Sequence, residues 1–173
     1  MQTVELEMSK KETKMDFISL LKELKIDPIL IEHAAASSVE EMRPIIASLT
    51  GAVPKTLFLK DRKNNLYLVS VQFDKKVKMK DLCKTLQLSS GSLSFASETL
   101  LHDILGIYSG CVSPFALVND HEKKVKCIID VDILKHQMVY FPPLTNTALL
   151  GLSMEKFRKF MTAIDHEILF VSI

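Results

Sequence analysis

Pro54-Lys55-Thr56-Leu57-Phe58-Leu59-Lys60-Asp61-Arg62-Lys63-Asn64-Asn65-Leu66-Tyr67-Leu68-Val69-Ser70-Val71 reads as two strands joined by a polar turn. Leu57 and Leu59, then Leu66, Leu68 and Ser70, fall at a spacing of two, the period that sends one set of side chains to one face of a sheet. Asp61 to Asn65 is a run of charged and amide residues, the chemistry of a chain reversal. Lys55 is the odd residue. It is a cation just after Pro54, at the mouth of an otherwise apolar strand. Two readings stand: a solvated strand end, or a group directed into a pocket.

Upstream of this hairpin, Phe17, Leu20, Leu21 and Leu24 follow helical spacing, and Asp16 favours the helix start. Asp27-Pro28 breaks that helix, and Ile29 to Ile31 reads as a strand. Ser38-Val39-Glu40-Glu41 matches a capping box. It opens a helix through about Leu49, ended by Gly51. Downstream, Met79, Leu82, Cys83 and Leu86 give a helical stripe, Leu93 and Phe95 a brief strand, and Ser97 caps a helix that Gly106 stops. Gly110 to Pro114 is a tight loop. The pattern then predicts strands at Phe115–Val118, Val125–Ile129, Met138–Phe141, Leu149–Leu152 and Ile168–Val171, with a helix capped by Ser153 before the last of them. Pro142-Pro143 interrupts the ladder, because proline has no donor to give it. Strands joined by short turns and interleaved with helices predict an α+β domain with a mixed, largely antiparallel central sheet flanked by helices. Residues 1–15 read as a flexible N-terminal extension and 16–173 as a single domain.

The chain has 173 residues, which suits one domain with a sizeable core. The formal net charge of +1 argues against nucleic-acid binding through a global field. It leaves room for a local basic face. Lys75, Lys76, Lys78, Lys80 and Lys84 lie close together, either as a solvated helix face or as phosphate contacts. No apolar run reaches the ~18 residues of a membrane span, and the N-terminus lacks the apolar core of a secretory signal. The expected setting is cytoplasmic. Cys83, Cys111 and Cys127 have neither zinc spacing nor a disulfide framework, which fits reduced thiols.

The common catalytic signatures are absent: no phosphate-binding glycine loop, no nucleophile elbow, no zinc protease helix. His33, His102, His121, His136 and His166 are scattered and read as surface or turn positions. Cys111 reads as a small buried residue, since nothing nearby in sequence lowers its pKa. Two segments remain besides the hairpin. Gly110-Cys111-Val112-Ser113-Pro114 either presents backbone N–H groups to a carbonyl oxygen or is a plain tight turn. Thr145-Asn146-Thr147-Ala148 either lines a pocket with polar groups or is an Asx-type turn.

Taken in order, Lys55-Thr56-Leu57-Phe58-Leu59-Lys60-Asp61, Gly110 to Leu117, and Phe141-Pro142-Pro143-Leu144-Thr145-Asn146-Thr147-Ala148 resemble the YbaK/ProX family of aminoacyl-tRNA editing domains. The branch most resembled is the ProXp-ala (PrdX) type, which removes alanine mischarged onto proline tRNA. The resemblance covers roughly residues 16 to 173. It implies ester hydrolysis without metal, cofactor or covalent nucleophile. The family's lysine falls on Lys55 and contacts the substrate electrostatically. Its glycine loop falls on Gly110, and Gly110 to Pro114 hold the aminoacyl end and terminal adenosine. Thr56, Phe58, Cys111, Val112, Ser113, Pro114, Pro142, Asn146 and Thr147 are the implied substrate contacts. Lys76 and Lys78 of the lysine cluster, and Lys60 at the hairpin turn, are the candidate tRNA contacts. The implied partners are aminoacylated proline tRNA and a prolyl-tRNA synthetase in cis or in trans, with no membrane.

Two positions depart from the family pattern. Where it reads Phe-His-Pro, this chain reads Phe141-Pro142-Pro143, and the family histidine borders the amino-acid pocket. The residue after the lysine, commonly asparagine, is Thr56. The alternatives are therefore editing of another small amino acid, such as cysteine or serine, or a non-catalytic tRNA-binding or assembly module.

Overall fold

The computed structural model describes residues 11–36 and 38–173. Four of the five α-helices among the described residues begin where hydroxyl side chains satisfy orphan backbone donors. α1 (Lys14–Glu23) has a complete capping box, with Asp16 N–H on the Thr13 hydroxyl and Thr13 N–H on the Asp16 carboxylate at 2.9 Å. α2 (Val39–Ala47) starts on Ser38, whose Oγ accepts the Glu41 N–H. α4 (Glu98–Leu105) starts on Ser97 and ends at Gly106, held at φ 66° in the left-handed region. α5 (Met154–Ala163) starts on Ser153. α3 (Met79–Thr85) has no side-chain cap.

β2 (Pro54–Lys60) and β3 (Leu66–Gln72) form the hairpin, with Lys55 opposite Val71 and Thr56 opposite Ser70. Asp61 builds its turn. The carboxylate accepts the N–H groups of Lys63 and Asn65, the Asn65 amide and the Tyr67 hydroxyl, all within 2.8–3.0 Å. Burial pushes the Asp61 carboxyl up, but these donors outweigh it and hold it below its ordinary value. Asn64 takes the left-handed conformation the turn requires, at φ 62°.

β1 (Ile29–Glu32), β4 (Ser94–Phe95), β5 (Val125–Asp130), β6 (Met138–Phe141), β7 (Ala148–Ser153) and β8 (Ile168–Val171) complete the strands. They form two sheets rather than one: a five-stranded sheet in the order β4-β2-β3-β5-β8 and a three-stranded sheet β1-β7-β6. β3–β5 and β5–β8 pair in parallel, and the other pairs run antiparallel. The domain is α+β with largely antiparallel sheets flanked by helices, as expected. Ala52 joins the two sheets just before β2: its N–H donates to Met138 and its carbonyl accepts from Tyr140, both at 2.9 Å. This sets β6 beside the entrance of the hairpin.

β3 is buried on both faces, which explains its nearly continuous apolar sequence. Leu66 and Leu68 meet Phe58 in the main core, while Tyr67, Val69 and Val71 meet Leu59 and the α3 residues Leu82 and Cys83. Phe115 is the hub of the main core. Its ring lies 4.7 Å from Phe17, 5.5 Å from Phe141, 6.1 Å from Phe157 and 5.7 Å from Phe160.

That hub corrects one expectation. Phe115–Val118 is not a strand but part of a 3-10 helix over Pro114–Asn119. Ser113 caps it, with Oγ accepting the Phe115 N–H, and Pro114 occupies the first turn, where its missing N–H costs nothing. Phe115, Ala116 and Leu117 are consecutive and all buried. With protein on every side, this segment has no neighbouring strand and closes its backbone bonds locally. A second 3-10 helix at Val131–Lys135 was not anticipated.

Residues 1–10 of the expected extension lie outside the described residues. Lys11 and Glu12 are tied to the domain: Glu12 N–H donates to Asn119 Oδ1 at 2.7 Å, and the Lys11 ammonium reaches the Ile104 and Asn119 carbonyls.

Candidate functional site

A cavity of about 320 Å3 opens where the N-terminal end of β2 meets the small sheet. Its polar wall includes Lys55, Thr56, His33, Ser38, Asn146 and the Gly110 backbone; Val39, Met42, Ile46, Val53 and Leu149 are apolar lining. The volume lies at the small end of the ~300–1,000 Å3 range of small-molecule sites.

Each polar group is placed by a specific element. Lys55 is held by the β2–β3 ladder, and its ammonium makes no hydrogen bond or ion pair with the described residues. Thr56 Oγ1 lies 2.9 Å from Ser70 Oγ across the same ladder. The stretch Ser109–Ser113 is held at both ends. Glu98 at the start of α4 accepts from the Ser109 hydroxyl and N–H, and Ser113 Oγ donates to the Pro142 carbonyl at 2.9 Å. Between these anchors Gly110 stands at φ 96°, a conformation that side-chain-bearing residues rarely adopt. The N–H groups of Gly110 and Val112 have no acceptor among the described residues. Asn146 comes from the β6–β7 connection; a Cβ built on Gly110 would lie 3.9 Å from the Asn146 Cβ.

His33 extends the β1–β7 ladder, its N–H donating to the Thr147 carbonyl at 2.9 Å. Its Nδ1 lies 2.8 Å from the Ala34 carbonyl. A carbonyl only accepts, so Nδ1 carries the proton in that contact. Nε2 is buried and has no partner among the described residues.

The structure therefore brings together Lys55, Thr56, Gly110, Val112, Pro142 and Asn146, residues more than 90 positions apart in sequence at the extremes. Other candidates fall elsewhere. Phe58 is a core residue. Cys111 points away from the wall, its Sγ donating to the Tyr108 carbonyl at 3.2 Å, and burial pushes its thiol up. Ser113 and Pro114 are buried behind the loop. Thr147 is exposed, with its hydroxyl 3.1 Å from Thr145 Oγ1. Lys60 ends β2 at the far side of the hairpin, opposite Leu66 and Ser94. Lys76 and Lys78 are exposed just after Phe73, a cavity residue, whereas Lys75 is engaged with Asp130 at 2.5 Å and Asp132 at 3.3 Å.

Sequence reading missed the α2 contribution and His33. Val39, Met42 and Ile46 recur at helical spacing, a signal that could have marked them as one face. His166 corrects the surface reading of the histidines: it is buried, with Nε2 3.0 Å from Asp120 Oδ2. Among the described residues no group of three or more His, Cys, Asp or Glu side chains is arranged to hold a metal ion.

Chemically, the wall offers a cation and free backbone N–H groups beside an apolar recess. Such donors stabilise negative charge developing on a substrate oxygen, more strongly in a partly dry site than in water.

The chain is similar to known proteins over most of its length. The family model of the aminoacyl-tRNA editing domain matches residues 33–160. A prolyl-tRNA synthetase associated domain-containing protein of Xenopus laevis is 40% identical over 157 residues, covering 89% of this chain and 93% of that protein. The prolyl-tRNA editing protein ProX of Acetoanaerobium sticklandii is 36% identical over 153 residues, covering 88% and 92%. The fold also matches a solved structure described as a candidate trans-editing enzyme for prolyl tRNA synthetase. That match has a TM-score of 0.66, 15% identity and coverage of 95% of this chain and 99% of the other.

Proposed function

Because this chain belongs to the aminoacyl-tRNA editing domain family, we propose that it is a deacylase that hydrolyses alanine mischarged onto proline tRNA. The observation that carries the reading is the Lys55 ammonium in the wall of a small cavity, beside the Gly110 and Val112 N–H groups, none of which has a partner among the described residues.

In this mechanism the aminoacyl ester enters with its carbonyl oxygen towards Lys55 and the glycine loop. Water, aided by the vicinal ribose hydroxyl, attacks the carbonyl carbon. The oxygen gains negative charge, which Lys55 and the N–H groups stabilise. The acyl–oxygen bond then breaks, and the free amino acid and the ribose hydroxyl leave. No residue forms a covalent intermediate. The recess formed by Val39, Met42, Ile46, Val53 and Leu149 limits the amino-acid side chain. A methylene-scale difference there is worth about 1–3 kcal/mol, enough to favour a small residue. Pro142 stands in the same wall, so the accepted amino acid depends on a position that differs from the family pattern. In this reading the exposed Lys76 and Lys78 meet tRNA phosphates, and a prolyl-tRNA synthetase is the partner supplying the mischarged substrate.

A deacylation panel tests this: alanine, cysteine, serine and proline on matched proline tRNA. Alanine is released and proline retained. Lys55→Ala lowers the alanine rate by about 10²–10³ while the thermal midpoint stays near that of the parent. A parent protein that leaves every ester intact refutes the enzyme. Release of cysteine or serine in preference to alanine reassigns the substrate.

A further inference from the structure

One cation at the rim of the cavity has no part in the proposed ester chemistry. Val39, Met42 and Ile46 of α2 line the wall. Arg43 follows Val39 by four residues, so the two side chains lie one turn apart on the same side of the helix. From the hairpin, Phe73 just after β3 lines the same cavity. The guanidinium carbon of Arg43 lies 6.0 Å from the centre of the Phe73 ring, within the range of a cation–π contact. A fixed positive charge thus sits against a ring that belongs to the cavity wall.

Its donors are open to solvent. The Arg43 side chain is 61% exposed, and among the described residues its ion pair is with Glu40, from Nε at 4.0 Å, the outer limit of such a contact. The terminal nitrogens face no closer carboxylate among the described residues. A guanidinium can rest its face on an aromatic ring and still offer its N–H edge to a phosphate in a forked pair of hydrogen bonds. The proposed substrate supplies that acceptor. A cavity of about 320 Å3 takes the esterified amino acid and the ribose that bears it, while the nucleotides behind them stay outside. The phosphate that joins the last two nucleotides is attached to the 5′ carbon of that same ribose, so it is the first anion beyond the mouth. Lys55 is directed to the carbonyl oxygen in that reading, and Lys75 is engaged with Asp130 and Asp132. Arg43 remains, at the rim, with its N–H groups available.

We infer that the Arg43 guanidinium binds the phosphate between the last two nucleotides of the aminoacylated tRNA, holding the terminal ribose at the mouth with its ester directed to Lys55. This rests on the deacylase reading and adds the residue that distinguishes an ester borne on a nucleotide chain from a free aminoacyl ester. It also gives α2 two tasks, an apolar face towards the amino acid and a cation towards the backbone of the tRNA end.

The test crosses Arg43 with that phosphate. The alanyl ester of the dinucleotide cytidylyl-adenosine is made with its natural phosphate or with a neutral methylphosphonate link, which removes the negative charge and keeps both nucleosides. Arg43→Gln lowers kcat/KM on the phosphate ester by about 10-fold, the low end for a hydrogen bond to a charged group, and changes the methylphosphonate rate less than twofold. Arg43→Lys, which restores the charge without the fork, recovers part of the phosphate rate. Equal losses on both esters would show that Arg43 only holds α2 against Phe73, and no loss on either would remove it from the site; either result overturns the inference. Binding of the non-hydrolysable 3′-alanylamino analogues of the two dinucleotides separates this from the parent reading. A protein that hydrolyses neither ester but prefers the phosphate analogue in an Arg43-dependent manner refutes the deacylase and upholds the phosphate contact. Equal affinity of the parent protein for both analogues, with no discrimination between the esters, overturns the contact itself.

Discussion

Ser113 donates its hydroxyl proton to the Pro142 carbonyl across 2.9 Å while its oxygen accepts the Phe115 N–H at 3.2 Å. One side chain thus ties the glycine loop to the segment after β6 and also starts the 3-10 helix that places Phe115 in the core. Ser113 does not line the cavity, yet it sets the distance between two parts of its wall. Ser113→Ala leaves the buried Phe115 N–H without its cap and releases the loop. We expect a loss of about 1–3 kcal/mol in stability, read from the urea midpoint, together with a reduced alanyl deacylation rate. A stability loss without any change in rate would show that the loop holds its geometry independently of this tie.

Gly110 separates backbone strain from crowding. A Cβ there meets nothing nearer than 3.9 Å, so Gly110→Ala is opposed by conformation and not by contact. At φ 96° the added side chain costs about 1–2 kcal/mol, and the loop relieves it by turning its N–H groups. The expected outcome is a modest drop in melting temperature with a disproportionate fall in kcat on alanyl-tRNA. Retention of full activity would exclude the Gly110 N–H from the chemistry.

Lys76 and Lys78 are exposed beyond Phe73, at the end of the hairpin that carries Lys55. If both meet phosphates, removing them weakens tRNA binding and lowers the slope of log K against log salt by up to about 2, since each phosphate contact adds roughly 0.7–0.9. Lys75→Ala serves as the contrast. That ammonium is committed to Asp130 and Asp132, so its loss acts on stability and leaves the salt slope unchanged. Filter-binding titrations from low to high salt decide this, and an unchanged slope in the Lys76/Lys78 double variant makes those lysines a solvated face.

Asp120 sets an acid limit on stability. Burial pushes its carboxyl up, but the hydrogen bonds from His166, Val125 and Lys124 outweigh burial and hold it below its ordinary value. A carboxyl depressed in the folded state stabilises fully above its unfolded pKa of about 4. That contribution is lost as the pH falls through the folded value. Asp61 acts in the same direction. Chemical denaturation across pH 2–7 should therefore show stability falling at the acid end, with a shallower fall in Asp120→Asn. At neutral pH, Asp120→Ala orphans several donors at about 1–3 kcal/mol each.

Much of the fold was legible because it rests on local chemistry. Ser97, Ser153 and Ser38 mark helix starts by the hydroxyl each offers to a backbone donor, and Asp61 to Asn65 carries its own turn. The segment at Phe115 was misread for a reason that is equally physical. Its apolar run fits a strand as well as a buried helical turn. The Ser113-Pro114 start signal became decisive only once Phe17, Phe141, Phe157 and Phe160 surrounded the segment and left no strand to pair with.

The sequence by itself determined the two strands around Asp61, the helix caps and the candidate lysine, since these depend on residues a few positions apart. Only the tertiary structure decided which residues share the cavity. Ala52 binds the hairpin entrance to β6, Ser113 binds the glycine loop to Pro142, and the β1–β7 ladder brings His33 into the same wall. Those bonds join segments far apart in the chain, and no local periodicity encodes them. For the same reason Lys55 could be either a solvated strand end or a pocket cation until the small sheet, α2 and the glycine loop enclosed it.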